Sequence, residues 1–151
     1  ILDCCYVDSL KQVVFSSTHS YLFFMDASIG FKENAMNNSK RDDCYHVQHF
    51  VKTKYPQYGL YYCSLLDLIV GFPGEGSEHF FEIFDPQTRL LKYQIMKHDT
   101  KILSICEMVL DKAHPTKDHY FVSSSIDKKV IMWPTAPMST LVGQTQTKRL
   151  L

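Results

Sequence analysis

His98, Ser123 and Asp127 supply the residue types of a nucleophilic triad: a hydroxyl to attack, an imidazole to take its proton, and a carboxylate behind the imidazole. That chemistry needs the serine exposed beside a cleft, commonly on a sharp strand-to-helix elbow. Ser123 sits instead in "HYFVSSS", an alternating run that reads as a strand, and no elbow pattern surrounds it. The same groups also make a structural network. A tight turn exposes backbone N–H groups that a carboxylate can accept, and an imidazole can bridge that carboxylate to a hydroxyl. The indole N–H of Trp133, the one tryptophan, could then donate to the hydroxyl. The expectation is a structural network of these groups, with no catalytic residue.

Cys44, His46, His49 and Cys63 offer thiolate and imidazole ligands that suit tetrahedral zinc. Against this, "CYHVQH" has short spacing and no paired cysteine knuckle, and on an extended strand His46 and His49 face opposite ways. A zinc-binding module or small β-rich enzyme using these four residues is the alternative reading; the leading one has no metal, no cofactor and no enzymatic activity. Cys106 near His98 or His114 could be a reactive thiol, but its apolar setting, "LSICEMV", predicts a buried, unreactive side chain. "PGEGSE" lacks the ending of a phosphate loop and the spacing of a dinucleotide loop, so it reads as a strand connection.

The chain has 151 residues, enough for a sizeable core, and its sixteen basic and sixteen acidic side chains cancel. No global field recruits nucleic acid or an anionic membrane, and no apolar run approaches bilayer length. Five cysteines in an irregular, odd-numbered set predict isolated, mostly buried thiols in a reducing, cytoplasmic compartment. Asn37-Asn38-Ser39 fits the glycosylation tripeptide, which needs a secretory route to matter. Because Ile1 already lies in the hydrophobic run "ILDCCYV", the chain reads as an excerpt of a larger protein.

The elements that must carry these residues are short apolar runs between polar turns. "ILDCCYV", "QVVFSS" and "YLFFMD" read as three strands, followed by a polar loop, "KENAMNNSKRDDC". "YHVQHFVKTKYP" is extended, and "LYYCSLLDLIVGF" divides into an approach near Tyr61 to Ser64 and a buried strand at Leu65 to Val70. The aromatic "YPQYGLYY" reads as packing at a sheet surface, with an exposed interaction edge as the alternative. "HFFEIFD", "LLKYQI", "KILSICEMVL", "HYFVSSS" and "KKVIMW" follow, with one further short strand at Ser139 to Val142. This gives about ten or eleven strands with short sequential connections, an all-β chain of meandering antiparallel sheets.

Three stretches end alike: "FFMD" at Asp26, "EIFD" at Asp85 and "IMWP" at Pro134, each following a large side chain. Their separations exceed the forty-odd residues of a compact four-stranded repeat, so insertions are required. The last unit, "KHDTKILSICEMV…HYFVSSSIDKKVIMW", resembles the WD40 repeat family. By that resemblance His98 is the repeat's histidine, Ser123 its strand hydroxyl, Asp127 its turn acid and Trp133 its tryptophan. Lys97 stands where the family has glycine, and Pro134 where it has aspartate. The echo at Asp85 keeps the acid after Phe84, while that at Asp26 places Phe15, His19 and Met25 at the hydroxyl, turn-acid and tryptophan positions. The resemblance implies a partial WD40-like β-propeller of about three blades, divided at 1–36, 37–96 and 97–151. It further implies a scaffold for protein partners, forming one arc of a larger propeller. A large cytoskeletal or ciliary assembly is among the settings it admits.

Overall fold

Short runs of apolar, β-branched and aromatic residues set the strands, and a residue with positive φ shapes each tight turn between hairpin strands. β1 (Cys4–Val7) and β2 (Gln12–Ser16) are joined through Lys11 (φ 53°), and β2 turns into β3 (Tyr21–Asp26) through Ser20 (φ 61°). The pattern recurs at Asp67 (φ 50°) between β5 (Gln57–Cys63) and β6 (Leu68–Pro73). It recurs again at Arg89 (φ 61°) between β7 (Phe80–Phe84) and β8 (Leu91–Met96). Lys128 (φ 64°) does the same between β10 (His119–Ser125) and β11 (Val130–Pro134). The remaining strands are β4 (Val47–Lys52), β9 (Ile102–Val109) and β12 (Lys148–Leu150). This computed structural model describes residues 1–27, 47–74, 79–96, 98–115 and 118–136, and the backbone of 148–150.

The strands form three sheets in chain order: β1-β2-β3-β4, then β5 to β8, then β9-β10-β11. All are antiparallel meanders, and β12 adds to the edge of the second sheet by pairing in parallel with β8. The first strands of the sheets, β1, β5 and β9, lie beside one another.

Two apolar layers hold the sheets together. Val7, Val14, Leu22 and Phe24 of the first sheet pack on Leu60, Ile69 and Phe84 of the second. On the other face of the second sheet, Val70, Phe81, Ile83 and Ile95 pack on Ile102, Ile105 and Phe121 of the third. The second sheet is therefore covered on both sides, and every residue of β7 is buried. Gly59 on β5 makes room for the Phe72 ring across the ladder, since a Cβ there would fall 2.1 Å from Cζ. Polar side chains tie the turns together: Ser9 Oγ of the first sheet donates to Asp67 Oδ1 of the second at 2.6 Å, and within the second sheet Gln87 Nε2 donates to Asp67 Oδ2 at 3.1 Å.

Several expectations change. Leu65 to Asp67 form the β5–β6 turn rather than the start of a strand, because the chain needs a reversal once Cys63 is buried. β4 falls within the 37–96 division of the sequence, yet it hydrogen-bonds to β3 in the first sheet. Twelve strands are seen among the described residues, β12 being the unforeseen one. Cys106 is exposed, as is Cys4, and only Cys63 of the four described cysteines is buried, so "mostly buried thiols" is corrected. An irregularity near the start of β9 breaks its alternation, and beyond it Ile105 is buried while Cys106 is exposed. Of the aromatic run, Tyr58, Tyr61 and Tyr62 lie on β5, and Tyr61 and Tyr62 pack against the apolar layers on its two sides. The loop "KENAMNNSKRDDC", the Asn37 tripeptide, Cys44, His46, Lys97 and the Ser139 to Val142 strand lie outside the described residues. No helix of the described residues is long and apolar enough to cross a membrane.

Candidate functional site

The inner face of the third sheet carries the polar chemistry. β10 alternates strictly, so His119, Phe121, Ser123 and Ser125 all point toward the second sheet. Ser123 is fully buried, and its oxygen is engaged on both sides. Trp133 Nε1–H donates to Ser123 Oγ at 2.8 Å, and Ser123 Oγ lies 2.7 Å from His98 Nε2. His98 Nδ1 lies 3.0 Å from Asp127 Oδ2. One proton arrangement satisfies the whole chain: indole to serine, serine to Nε2, and Nδ1–H to the carboxylate. Asp127 also accepts the backbone N–H of Lys129 at 2.9 Å and of Asp99 at 3.0 Å, tying the turn to the segment before β9. Burial alone would raise its carboxyl, but the two N–H groups and the His98 ring outweigh burial and hold it at about 2. Trp133 leans edge-on against Phe81 of the second sheet, centroids 5.2 Å apart.

The corresponding positions of the other sheets hold no such chain. Phe84 is buried between the first two sheets, while Phe15 stacks on Phe23 with ring centroids 5.2 Å apart. Asp85 makes a smaller version of the turn anchor: its Oδ1 accepts Gln87 N–H at 2.8 Å, and its Oδ2 pairs with Lys92 at 2.8 Å. Burial opposes ionisation there too, but the Lys92 ammonium and the turn N–H groups prevail and lower its pKa.

A second cluster lies on the same inner face, across the gap to β5. Cys63 Sγ, a Glu107 carboxylate oxygen and a His119 ring nitrogen all lie within 4.8 Å of one another. His119 Nε2 is 2.6 Å from Glu107 Oε1 and 3.9 Å from Cys63 Sγ. Thr135 Oγ1 sits 2.6 Å from His119 Nδ1 and donates to the His119 carbonyl at 3.0 Å. Tyr61 donates its hydroxyl to Glu107 Oε2 at 2.6 Å. Burial pushes the Cys63 thiol up to about 12, and burial followed by the Glu107 hydrogen bond raises the Tyr61 phenol. This set corrects the flat expectation of a chain with no enzymatic capacity, because thiol, carboxylate and imidazole converge with ligand spacing.

The zinc set read from the sequence is corrected as well. Of its described members, Cys63 is buried against the third sheet, whereas His49 is exposed on β4 of the first. Cys63 meets His119 and Glu107 instead. Sequence reasoning missed those two because the ligands come from three strands, β5, β9 and β10, with no local spacing to announce them. The available signal was phase: His119 lies four residues before Ser123 on a period-two strand, so both share one face.

Over 89% of its length the chain superposes on the crystal structure of Saccharomyces cerevisiae Sqt1, with a TM-score of 0.66 and 10% identity. The WD40 β-propeller domain of Doa1 matches over 87% of the chain, with a TM-score of 0.54 and 11% identity. The fold is that of a partial, unclosed WD40 propeller. The chain spans about a third of either structure, 30% of Sqt1 and 36% of the Doa1 domain. No protein-family model and no curated protein sequence matches it. In propeller terms the three sheets are blades.

Proposed function

We propose that the chain is one arc of a larger WD40 domain that serves as an interaction scaffold within a multiprotein or structural assembly. The observation that supports this is the pair of apolar outer blade faces. On the first blade, Phe15, Phe23 and Phe50 stand in register across β2, β3 and β4, and Phe50 is 66% exposed. On the third blade, Cys106, Val122 and Met132 form a similar row, with Val130 beside it 69% exposed. Contiguous apolar faces of this kind are covered in a working assembly, since each Å² removed from water contributes about 25 cal/mol. The odd, unpaired set of cysteines supports a cytoplasmic assembly, and a cytoskeletal or ciliary one is among the settings a divergent, inserted propeller admits.

The test places a photoreactive phenylalanine analogue at Phe50 and, separately, at Met132 of the full-length protein in cells. Crosslinks from both positions, to another part of the polypeptide or to an associated protein, are expected. Positions that stay uncrosslinked while an exposed turn such as Lys112 crosslinks equally to bulk protein would overturn the reading.

A further inference from the structure

We propose that Cys63, Glu107 and His119 form a binding site for one divalent transition-metal ion of the zinc class, held between the second and third blades. Sulfur, carboxylate oxygen and imidazole nitrogen make a mixed donor set of the kind that selects zinc over magnesium or calcium, which take oxygen alone. The three donors are within 4.8 Å of one another, close enough to share one ion. They are carried by β5, β9 and β10, so the sheets hold them in place.

The surroundings aim the ligands. Thr135 commits its hydroxyl hydrogen to the His119 carbonyl, 3.0 Å away. Its oxygen is then an acceptor, and His119 Nδ1 at 2.6 Å must be the donor. That hydrogen bond fixes the ring and presents Nε2 to Cys63 and Glu107, the arrangement by which outer groups orient metal-binding histidines. Tyr61 does the same for the carboxylate: it occupies Oε2 and leaves Oε1 facing the histidine.

The 2.6 Å approach of Nε2 to Oε1 requires a proton between two atoms that would otherwise meet lone pair to lone pair. A cation can take that proton's place. Burial keeps the Cys63 thiol protonated, pushing it up to about 12, but a bound dication reverses the balance and ionises a coordinating thiol. Three protein ligands leave one position for water, and the Glu107 side chain, 18% exposed, marks the side open to solvent.

The experiment titrates the chelator-treated full chain with Co²⁺, then with Zn²⁺, while absorbance is followed. The expected result is one Co²⁺ per chain, with a thiolate-to-cobalt charge-transfer band, and displacement by Zn²⁺. Cys63→Ser should abolish the band, and Cys106→Ser should leave it intact, since Cys106 points out of the opposite face. Should Cys63→Ser fail to fold, Thr135→Val carries the test, with cobalt affinity reduced about 10–100-fold as befits loss of an orienting partner. The proposal is overturned by the absence of a charge-transfer band in the folded protein. A band that survives in folded Cys63→Ser, or a folded Thr135→Val with unchanged affinity, overturns it equally.

Discussion

Ser123 satisfies two neighbours with one oxygen, so its loss is felt twice. Ser123→Ala would leave the Trp133 indole N–H and the His98 Nε2 without partners in a buried setting. A loss of about 1–3 kcal/mol is expected, read as a shift in the denaturant midpoint at constant slope. Asp127 adds a dependence on acid. Its folded carboxyl is held at about 2, against an ordinary 3.8, so its ionised form stabilises the fold. That contribution is complete above about pH 4 and is lost as the pH falls toward about 2, where the folded group takes up its proton. Melting temperature measured over this window should fall less steeply in Asp127→Asn than in the parent. An equal slope in both would remove Asp127 from the account. The four residues of this chain can be named from sequence because one hairpin and the segment before it carry them all at fixed offsets. Glu107 and His119 gave no such signal, because their partner Cys63 arrives from another blade.

β7 is the strand most dependent on its neighbours. Phe80 to Phe84 are buried throughout, with Phe81 and Ile83 facing the third blade and Phe84 facing the first. Phe81→Ala would remove the ring against which Trp133 and Phe121 lean, and should cost about 3–5 kcal/mol in chemical unfolding. Leu103→Ala is the matching control, since that side chain is 55% exposed and its removal should barely move the midpoint. The strands themselves were readable, because alternation and β-branched or aromatic content mark them without reference to the rest of the chain. The turns were less so. Lys11, Ser20, Asp67, Arg89 and Lys128 adopt a conformation usually reserved for glycine, asparagine or aspartate. Four of those five residues give no warning of it; Asp67 is of a type that does, but it stands inside the apolar run "LLDLIV", which makes the β5–β6 reversal read as strand.

At the scale of the molecule, the all-β class and the propeller-like order of blades followed from short connections and one well-formed repeat. The shared core layers did not, because a residue's face is known only once two sheets are stacked. Cys106 shows the difference: its apolar neighbours suggested burial, and its phase on β9 sends it outward.

Sheet order repeats chain order, and that has a consequence in time. As the polypeptide leaves the ribosome, the first blade can close by local hairpins before the second is complete, local pairing being the quicker kind. The second blade then emerges onto a finished surface but keeps Phe81 and Ile83 wet until β9 and β10 arrive. During that interval the nascent chain presents an open sheet face, the stage at which a chaperone would be most needed.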